Sequence, residues 1–266
     1  METLAAAESL QVPAPQLFSL KGKHAFITGG SRGIGAAMAH ALVDAGASIC
    51  LANRSASDTA TADALRAKGA RVEILECDLA NMEDAKSIFQ KAVDVMDGKI
   101  DIVVNCGGIL KRKEAVSVTE EDWDSVIDVN LKALFLICQA AGRYMIPRMS
   151  GKIVNVASLN SFIGGETVAS YSSSKGAVAQ LTKALSNEWS KYNIQVNAIA
   201  PGNIATDINT DLRADPQQYA ARVARVPAGR WGYPADFAGP ILFLCSDASQ
   251  YVTGSVLVVD GGFLGR

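Results

Sequence analysis

Tyr171 and Lys175 lie four positions apart in the stretch "ASYSSSKGAV". In an α-helix this spacing places two side chains on the same face, so the phenol and the ammonium can approach one point. A free tyrosine has a pKa of about 10, and a nearby ammonium favours the phenolate and lowers that pKa. The pair can therefore act as the general acid and base that ketone reduction or alcohol oxidation requires.

Ser158 supplies a second group for the same chemistry. A Tyr-x-x-x-Lys spacing alone is common, and its ordinary interpretation is a helix surface that carries one charge. Ser158, however, ends the predicted strand 151–158, and the carboxyl edge of an α/β sheet is where such proteins bind ligands. We expect its hydroxyl to contact the substrate oxygen that Tyr171 protonates.

Gly29, Gly33 and Gly35 form a glycine turn between the predicted strand 24–28 and the predicted helix 33–45. Their G-x-x-x-G-x-G spacing differs from the G-x-G-x-x-G of the common dinucleotide fingerprint. The physical role is the same, because missing side chains let backbone N–H groups approach a pyrophosphate at the helix N-terminus. The alternative is a glycine-rich turn that binds nothing.

The end of the second predicted strand indicates which nicotinamide cofactor binds. A carboxylate about 20 residues after the glycine turn would bind the ribose 2′-hydroxyl and favour NAD(H). The strand 47–52 is instead followed by Asn53 and Arg54, and Arg32 lies inside the glycine turn. Guanidinium groups bind phosphate through paired hydrogen bonds, so the sequence favours the 2′-phosphate of NADP(H). NAD(H) stays open as the alternative, because both arginines can equally be solvated surface residues.

The elements that must position these groups alternate between short apolar runs and longer amphipathic ones. The predicted strands are 24–28, 47–52, 71–76, 100–105, 151–158, 194–200 and 255–260. The predicted helices are 33–45, 57–68, 82–96, 121–149 and 171–191, the fourth of which ends near Pro147. This alternation indicates an α/β fold, a doubly wound, seven-stranded parallel sheet with helices on both faces. We expect an N-terminal arm, 1–20, and a single Rossmann-fold catalytic domain, 21–266.

Composition excludes several classes of function. The 266 residues are 49% hydrophobic and carry a formal net charge of −2, so there is no basic excess for nucleic acid or an anionic membrane. No apolar run approaches the roughly 20 residues of a membrane-spanning helix, and the N-terminus does not read as a secretory signal. The five cysteines stand singly beside only two histidines. We therefore expect reduced thiols, no metal site and a cytoplasmic location.

Taken together, the motifs resemble those of the short-chain dehydrogenase/reductase family over about residues 19–266. The matching stretches are "TGGSRGIG" (28–35), "CDL" (77–79), "NCGG" (105–108), "VN" (129–130), Ser158, "YSSSK" (171–175) and "PGNIAT" (201–206). The resemblance implies a catalytic tetrad of Asn130, Ser158, Tyr171 and Lys175. It also implies that Asn130 binds a water in a proton relay through Lys175, which binds the nicotinamide ribose as well.

The same resemblance implies which residues contact the cofactor. Asp78 would contact the adenine, and Asn105 would steady the central strand beside the cofactor. The backbone of Ile204 and the hydroxyl of Thr206 would bind the carboxamide. The full set of implied contacts is Gly29, Ser31, Arg32, Gly33, Ile34, Gly35, Asn53, Arg54, Ser55, Asp78, Leu79, Asn105, Gly107, Tyr171, Lys175, Pro201, Gly202, Ile204 and Thr206.

The second half of the chain is similar to the branch of 2-deoxy-D-gluconate 3-dehydrogenases and gluconate 5-dehydrogenases, through stretches such as "NTDLRADPQQ". This implies an NAD(P)-dependent interconversion of a secondary alcohol and a ketone, on a sugar acid or polyol. Ser158 and Tyr171 would contact that substrate, and Asn160 and Glu166 are placed to meet its hydroxyls. The cations available for a substrate carboxylate are Lys111, Arg112 and Lys113, together with Arg213, Arg222, Arg225 and Arg230 in a predicted lid, 203–230.

Two other functions stay open at this point. The same tetrad serves NADPH-dependent reductases of aromatic or polyketide-type ketones. A cofactor-binding regulator without catalysis is a more remote alternative, because such a protein would be expected to have lost part of the tetrad. We also expect a homotetramer, since the predicted helices 121–149 and 171–191 carry more apolar surface than one domain needs and the matching helices of relatives pair.

Overall fold

The computed structural model describes residues 12–266. Its strands are β1 His24–Thr28, β2 Ser48–Asn53, β3 Val72–Glu76, β4 Ile102–Asn105, β5 Gly151–Val156, β6 Ile194–Pro201 and β7 Val256–Val259. Its α-helices are α1 Gly33–Asp44, α2 Ala60–Arg66, α3 Met82–Val95, α4 Glu120–Ile127, α5 Ala133–Met145, α6 Ala169–Trp189, α7 Thr210–Ala214, α8 Pro216–Val223 and α9 Ala238–Cys245. The strands form one parallel sheet in the order β3-β2-β1-β4-β5-β6-β7. The predicted α/β fold with a seven-stranded parallel sheet is confirmed.

Helices cover both faces of this sheet. Successive side chains of a strand reach opposite faces. On β1, Phe26 packs into a core with α3, α5 and α6, whereas its neighbour Ile27 packs into a second core with α1 and α9. Because neither face meets water, the strands need no polar alternation, and this explains their continuous apolar sequences.

The sheet order reverses between β1 and β4, which are neighbours in the centre. Thr28, the last residue of β1, pairs with Asn105, the last residue of β4. The chain leaves β1 towards β2 on one side and leaves β4 towards β5 on the other. In such sheets ligands bind in the crevice outside the carboxyl ends of the strands at this point.

The predicted helix 121–149 consists of four parts. After α4, the residues Asp128–Lys132 form a π-helical turn, and α5 follows directly. Pro147 lies in a 3₁₀ turn that closes the segment at Ile146–Arg148. A π turn inside a helical run is uncommon and is frequent at functional sites. Here it carries Asn130, one of the predicted tetrad residues.

Within the described residues, Glu120–Arg148 is the one helical run that is long and apolar enough to cross a membrane, with a mean hydropathy of 1.3 over its most apolar window. Half of that window is buried inside the protein. Its apolar residues pack against the sheet and α3 in the first core. These features are those of a core helix.

Some elements differ from the sequence-based expectation. The helix α2 is shorter than the predicted 57–68, and α9 was not predicted. The sequence of α9, "AGPILFLC", is apolar almost throughout, so it has no amphipathic period to indicate a helix. In the predicted lid, α8 begins at Pro216, and Asp215 caps it by accepting from two backbone N–H groups.

Residues 1–11 of the predicted arm, 1–20, lie outside the described residues. The rest of the arm includes a 3₁₀ turn at Ala14–Phe18. Leu20 is buried, and its N–H donates to the carbonyl of Ala45 at 2.8 Å. The division of the chain into this arm and one catalytic domain stays a prediction.

Candidate active site

Three of the four predicted tetrad residues lie at the carboxyl end of β5 and in the first turns of α6. Ser158 follows β5 and caps a 3₁₀ turn, its Oγ accepting from the N–H of Asn160 at 3.2 Å. Tyr171 and Lys175 lie in the first two turns of α6, with the Lys175 Nζ 5.8 Å from the centre of the Tyr171 ring. The Tyr171 phenol also interacts with the Ser158 hydroxyl. The fold therefore brings these three side chains around one point.

The Lys175 side chain is bound to the protein backbone. It is 4% exposed, and its Nζ donates to the carbonyl of Val156, the last residue of β5, at 2.6 Å. Burial lowers the pKa of this ammonium to about 8, because the charged form loses solvation. The contact fixes the start of α6 against the end of β5.

Tyr171 differs from the expectation that a neighbouring ammonium lowers its pKa. Burial raises the pKa of the phenol above its ordinary value. The interaction with Ser158 and the positive charge of Arg112 offset part of this rise. The phenol is therefore protonated at neutral pH in this structure, since Lys175 directs its charge at a backbone carbonyl instead.

Asn130 is fully buried in the π-helical turn, and its carboxamide makes three hydrogen bonds. Its Oδ1 accepts from the N–H of Ile109 at 2.8 Å, and its Nδ2 donates to the Ile109 carbonyl at 2.9 Å and to Ser174 Oγ at 3.1 Å. A Cβ on Gly108 would lie 3.1 Å from the same Oδ1 and 3.7 Å from the Lys175 Nζ. The Ser174 contact and the tight fit at Gly108 were not predicted, although both residues lie inside the motifs "YSSSK" and "NCGG".

Asn105 connects the central strands beneath the tetrad. Its Nδ2 donates to Asn155 Oδ1 at 2.9 Å across the β4–β5 pair, and it also contacts the Cys138 Sγ at 3.2 Å. Two residues later, a Cβ on Gly107 would lie 2.5 Å from the Leu79 side chain. The predicted cofactor residues Asn105, Gly107 and Leu79 are thus packed together at the ends of β3 and β4.

The glycine turn is shaped by the absence of side chains. A Cβ on Gly29, which has a φ of +67°, would lie 2.8 Å from the Gly107 Cα, and a Cβ on Gly35 would overlap the Gly29 carbonyl. Gly33 opens α1 with a φ of +57° and faces Thr206 across the cleft. Bare backbone at a helix N-terminus fits a pyrophosphate, so these residues suit a nicotinamide dinucleotide.

The residues that predict NADP(H) lie at one end of this cleft. Arg32 is exposed, and its Nη1 donates to Asp207 Oδ2 at 3.1 Å. Asn53 is buried at the end of β2, where its Nδ2 donates to the carbonyl of Asp58 at 3.1 Å. Arg54 follows it on the surface. Asn53 therefore shapes its own loop, and the two guanidinium groups remain as the cations for a phosphate.

Other predicted cofactor residues lie around the same cleft. The Ser31 carbonyl accepts from Thr61 Oγ1 at 2.6 Å, and Ile34 packs against the second core. The Ser55 hydroxyl is 2.7 Å from that of Ser57 in the loop after β2. Asp78 accepts from a backbone N–H two residues on, at 3.0 Å, and so stabilises the turn before α3.

The segment after β6 forms the far wall of the cleft. Pro201 ends β6, and the Gly202 N–H donates to β7 at 2.9 Å. Ile204 forms an isolated β-bridge with Gly232, and the N–H of Ala205 donates to the Gly232 carbonyl at 2.9 Å. Thr206 follows this bridge directly. The root of the predicted lid is therefore attached to two separate parts of the fold.

The predicted substrate residues do not share one environment. Asn160 lies between Ser158 and Tyr171, and its Nδ2 donates to Ser172 Oγ at 2.8 Å. A Cβ on Gly165 would lie 2.4 Å from that Nδ2, so the amide is enclosed by its own loop. Glu166 is exposed, and among the described residues no side-chain hydrogen bond joins it to the tetrad. Asn160 positions the loop around Ser158, and the substrate contacts of Asn160 and Glu166 both stay predictions.

Several of the predicted substrate cations are already paired. Asp122 accepts from Lys111 at 3.1 Å and from Lys113 at 2.7 Å, and both ammoniums hold the pKa of that carboxyl well below its usual range. Arg230 binds Asp236 through two hydrogen bonds of 2.8 and 2.9 Å, which lower the pKa of Asp236 to about 2. These three cations are therefore occupied within the fold.

Arg112 and Arg222 lie close together without a carboxylate. The charge of Arg112 acts on the Tyr171 phenol, and its Nη2 is 3.4 Å from Asn209 Oδ1 in the lid. Burial, together with the charges of Arg112 and Arg225, lowers the pKa of the half-buried Arg222. No carboxylate of the described residues forms an ion pair with these guanidinium groups. Arg112 therefore brings an unpaired positive charge to bear on the Tyr171 phenol.

Metal-ligating side chains and thiols are the other groups that could carry chemistry. No group of three or more His, Cys, Asp or Glu side chains within residues 12–266 is placed to bind a metal. All five cysteines are free thiols. Burial raises the pKa of Cys106, which lies near Lys175, to about 11. A thiol with so high a pKa is protonated at neutral pH and is a poor nucleophile.

Comparison with known proteins identifies the family and the fold. A family model described as enoyl-(acyl carrier protein) reductase, from the short-chain dehydrogenase group, matches residues 29–264. The chain belongs to the short-chain dehydrogenase/reductase family. It is 45% identical to a 2-dehydro-3-deoxy-D-gluconate 5-dehydrogenase of Escherichia coli K12, over 94% of this chain and 98% of that protein. The family predicted from the motifs is confirmed, and with it a dehydrogenase or reductase activity.

Other relatives carry related names. A gluconate 5-dehydrogenase of Gluconobacter oxydans 621H is 39% identical over 93% of this chain and 97% of its own length. The crystal structure of a gluconate 5-dehydrogenase from Burkholderia cenocepacia J2315, in complex with NADP and tartrate, has a TM-score of 0.90. It is 37% identical and covers 94% of this chain and 98% of that one.

Proposed function

We propose that this short-chain dehydrogenase interconverts a secondary alcohol and a ketone on a sugar acid, with NADP(H) preferred over NAD(H). The observation that carries the proposal is Arg112, which pairs with no carboxylate of the described residues and whose positive charge acts on the Tyr171 phenol. Arg222, which Arg112 influences in turn, is a second guanidinium of the lid without a described ion pair. A substrate that presents both a reacting oxygen and a carboxylate satisfies both features. The names of the relatives, dehydrogenases of gluconate and of 2-dehydro-3-deoxy-D-gluconate, support the same substrate class.

The chain supplies the proton and the orientation for this reaction. A bound nicotinamide cofactor provides or accepts the hydride. Tyr171 donates its phenolic proton to the ketone oxygen during reduction, and Ser158 donates a hydrogen bond to the same oxygen. Lys175 fixes the first turns of α6 through the Val156 carbonyl, and Asn130 connects that helix to the loop after β4. Proton transfer then occurs in a cleft whose geometry is set before substrate enters.

The cofactor preference rests on Arg32 and Arg54. Both are exposed at the end of the cleft where a 2′-phosphate would lie, and Asn53 stands where a carboxylate would repel it. Charged hydrogen bonds contribute roughly 1.5–3 kcal/mol each, so kcat/KM should favour NADP(H) by well over tenfold. Measurement of kcat/KM with both cofactors tests this, and equal efficiency with NAD(H) would contradict it.

Arg112→Gln tests the sugar-acid assignment. Removal of one charged hydrogen bond of roughly 1.5–3 kcal/mol should lower kcat/KM for D-gluconate or its keto acid by about 10- to 100-fold. Lys91→Gln is the control, because Lys91 is an exposed cation of α3 without a described ion pair and was not predicted to contact substrate. A panel with uncharged polyols and aromatic ketones completes the test. If aromatic ketones are reduced faster than every sugar acid, the alternative reductase activity is correct.

The homotetramer stays a proposal, supported by the surface of the molecule. Trp123 on α4 and Phe135 on α5 are more than a third exposed, and the edge strand β7 is only half-buried. Such apolar surface is typical of subunit contacts. Light scattering at micromolar concentration distinguishes a tetramer from the 27.9 kDa monomer. A cytoplasmic location is likewise proposed, supported by the buried free thiols.

A further inference from the structure

Asp207 joins the two walls of the cofactor cleft. It is the first residue of a 3₁₀ turn, Asp207–Asn209, at the root of the lid. Its Oδ2 accepts from the Nη1 of Arg32, which lies in the glycine turn on the opposite wall, at 3.1 Å. The two residues are 175 positions apart in the sequence, and both side chains are 71% exposed. The ion pair therefore lies over the cleft and not within the core.

The position of Asp207 is fixed by its neighbours. Ile204 bridges to Gly232, and the N–H of the residue after Ile204 donates to the Gly232 carbonyl at 2.9 Å. Thr206 approaches Gly33 of the glycine turn, its Cγ2 lying 3.5 Å from where a Cβ of Gly33 would stand. The Asp207 carbonyl accepts from Thr210 Oγ1 at 3.0 Å. The backbone before Asp207 is therefore bonded to Gly232, and its own carbonyl is bonded to Thr210. These contacts hold the Asp207 carboxylate next to Arg32.

Arg32 cannot bind the Asp207 carboxylate and a 2′-phosphate equally well at the same time. A guanidinium binds a phosphate or a carboxylate through a planar pair of N–H groups, and the carboxylate occupies one of those groups here. We propose that Asp207 competes with the 2′-phosphate for Arg32 and so reduces the preference for NADP(H) over NAD(H). This makes Asp207 a specificity-determining residue, and the inference rests on the proposed role of Arg32. NAD(H) lacks the 2′-phosphate, so the competition leaves its affinity unchanged.

The size of the effect follows from the exposure of the pair. Exposed ion pairs are weak because water and salt screen them, and their contribution corresponds to at most about fivefold in an equilibrium constant. The carboxylate should therefore weaken NADP(H) binding by a factor of about two to five at low salt. The factor should fall towards one as ionic strength rises.

Fluorescence titration of the full-length protein with NADPH and with NADH tests the inference. Asp207→Asn should lower the dissociation constant of NADPH about two- to fivefold and leave that of NADH unchanged. Asp211→Asn is the matched control, because it removes the same charge from an exposed lid position that has no described ion pair. It should change neither constant. An equal change for both cofactors, or no change with Asp207→Asn, overturns the inference.

The variant Arg32→Ala separates this inference from the proposed function. It should weaken NADPH binding by more than tenfold and abolish the effect of Asp207→Asn in the double variant. If Arg32→Ala leaves NADPH binding unchanged, the 2′-phosphate role of Arg32 is wrong and the competition fails with it. If Arg32→Ala weakens NADPH binding but Asp207→Asn retains its effect in that background, only the competition is wrong.

Discussion

The tetrad and the charged rim of the same cleft differ in how their side chains are fixed. Within the tetrad, Asn130 and Lys175 are buried, and backbone groups of Ile109 and Val156 bind them. The charged rim, which consists of Arg32, Arg54, Asp207, Arg112 and Arg222, is largely exposed. The side-chain contacts described for it are the ion pair of Arg32 with Asp207 and one long hydrogen bond from Arg112 to Asn209.

This difference suggests that the tetrad determines proton transfer, whereas the charged rim determines which anionic groups bind. A change within the tetrad disturbs hydrogen bonds that also connect α6 to the sheet, so proton transfer and local structure are linked there. A change in the charged rim alters the affinity for a phosphate or a carboxylate at little cost to folding, because surface charges contribute little to stability. Variants of the two regions should therefore affect different kinetic constants.

Tyr171→Phe should give the largest effect. The variant retains the ring and its packing but lacks the hydroxyl that is proposed to donate the proton. General acid–base catalysis contributes about 10²- to 10⁴-fold, so kcat should fall by that factor while the dissociation constant of NADPH stays nearly constant. Steady-state kinetics and fluorescence titration measure the two quantities. Turnover within a few-fold of the unmodified enzyme would show that another group is the acid.

Lys175→Ala should lower both turnover and cofactor affinity. The side chain is proposed to bind the nicotinamide ribose, and it also positions α6 through Val156. We expect kcat to fall at least tenfold and the dissociation constant of NADPH to rise, unlike the result for Tyr171→Phe. Lys111→Ala is the control, since that lysine pairs with Asp122 on the surface. An unchanged dissociation constant for Lys175→Ala would remove the ribose contact from the mechanism.

The same division explains what the sequence could predict. The Tyr171 and Lys175 pair was predictable because both residues lie on one helix, where spacing alone places them on the same face. The hydrogen bond from Lys175 to the Val156 carbonyl was not. The sheet was predictable because strands buried on both faces need continuous apolar runs. The helix α9 was not predictable, because it is apolar on all sides and so lacks a helical period.

Contacts between distant parts of the chain were not predictable from local patterns. The pairing of Arg32 with Asp207 joins residues that lie 175 positions apart. The Asn130 contacts with Ile109 and Ser174 depend on the packing of three segments. The pKa of Tyr171 was expected to be lowered, and it is raised because burial outweighs the nearby charges. Burial of a particular atom is a tertiary property and has no sequence signature.

The pH dependence should differ between the two directions of the reaction. With Tyr171 as the proposed acid, reduction requires the protonated phenol, and the raised pKa of Tyr171 keeps it protonated. We therefore expect kcat for reduction to be constant from pH 6 to 7, below the pKa of about 8 of Lys175. Oxidation requires the phenolate, so its kcat should rise by up to tenfold per pH unit over the same range. Both rates are measured in one buffer series. A rate of oxidation that is independent of pH would show that Tyr171 is not the base.

Gly108→Ala should give the smallest effect and tests how closely the tetrad is packed. The added methyl would lie 3.1 Å from Asn130 Oδ1, so that side chain must shift by a few tenths of an ångström. Asn130 also bonds to Ser174 on α6, and the shift should be transmitted to the helix that carries Tyr171. Because a misplacement of about 1 Å costs roughly 10²-fold, we expect kcat to fall by less than tenfold.

Gly239→Ala provides the control for that variant. Nothing lies within 4 Å of a Cβ at Gly239, which is exposed on α9 on the other face of the sheet. Alanine is favoured over glycine in helices by roughly 0.5–1 kcal/mol, so Gly239→Ala should raise the midpoint of thermal unfolding slightly and leave kcat unchanged. Equal kcat values for Gly108→Ala and Gly239→Ala would mean that Asn130 can move without disturbing the phenol. The tetrad would then be as tolerant of change as the charged rim, and the proposed difference between the two regions would be wrong.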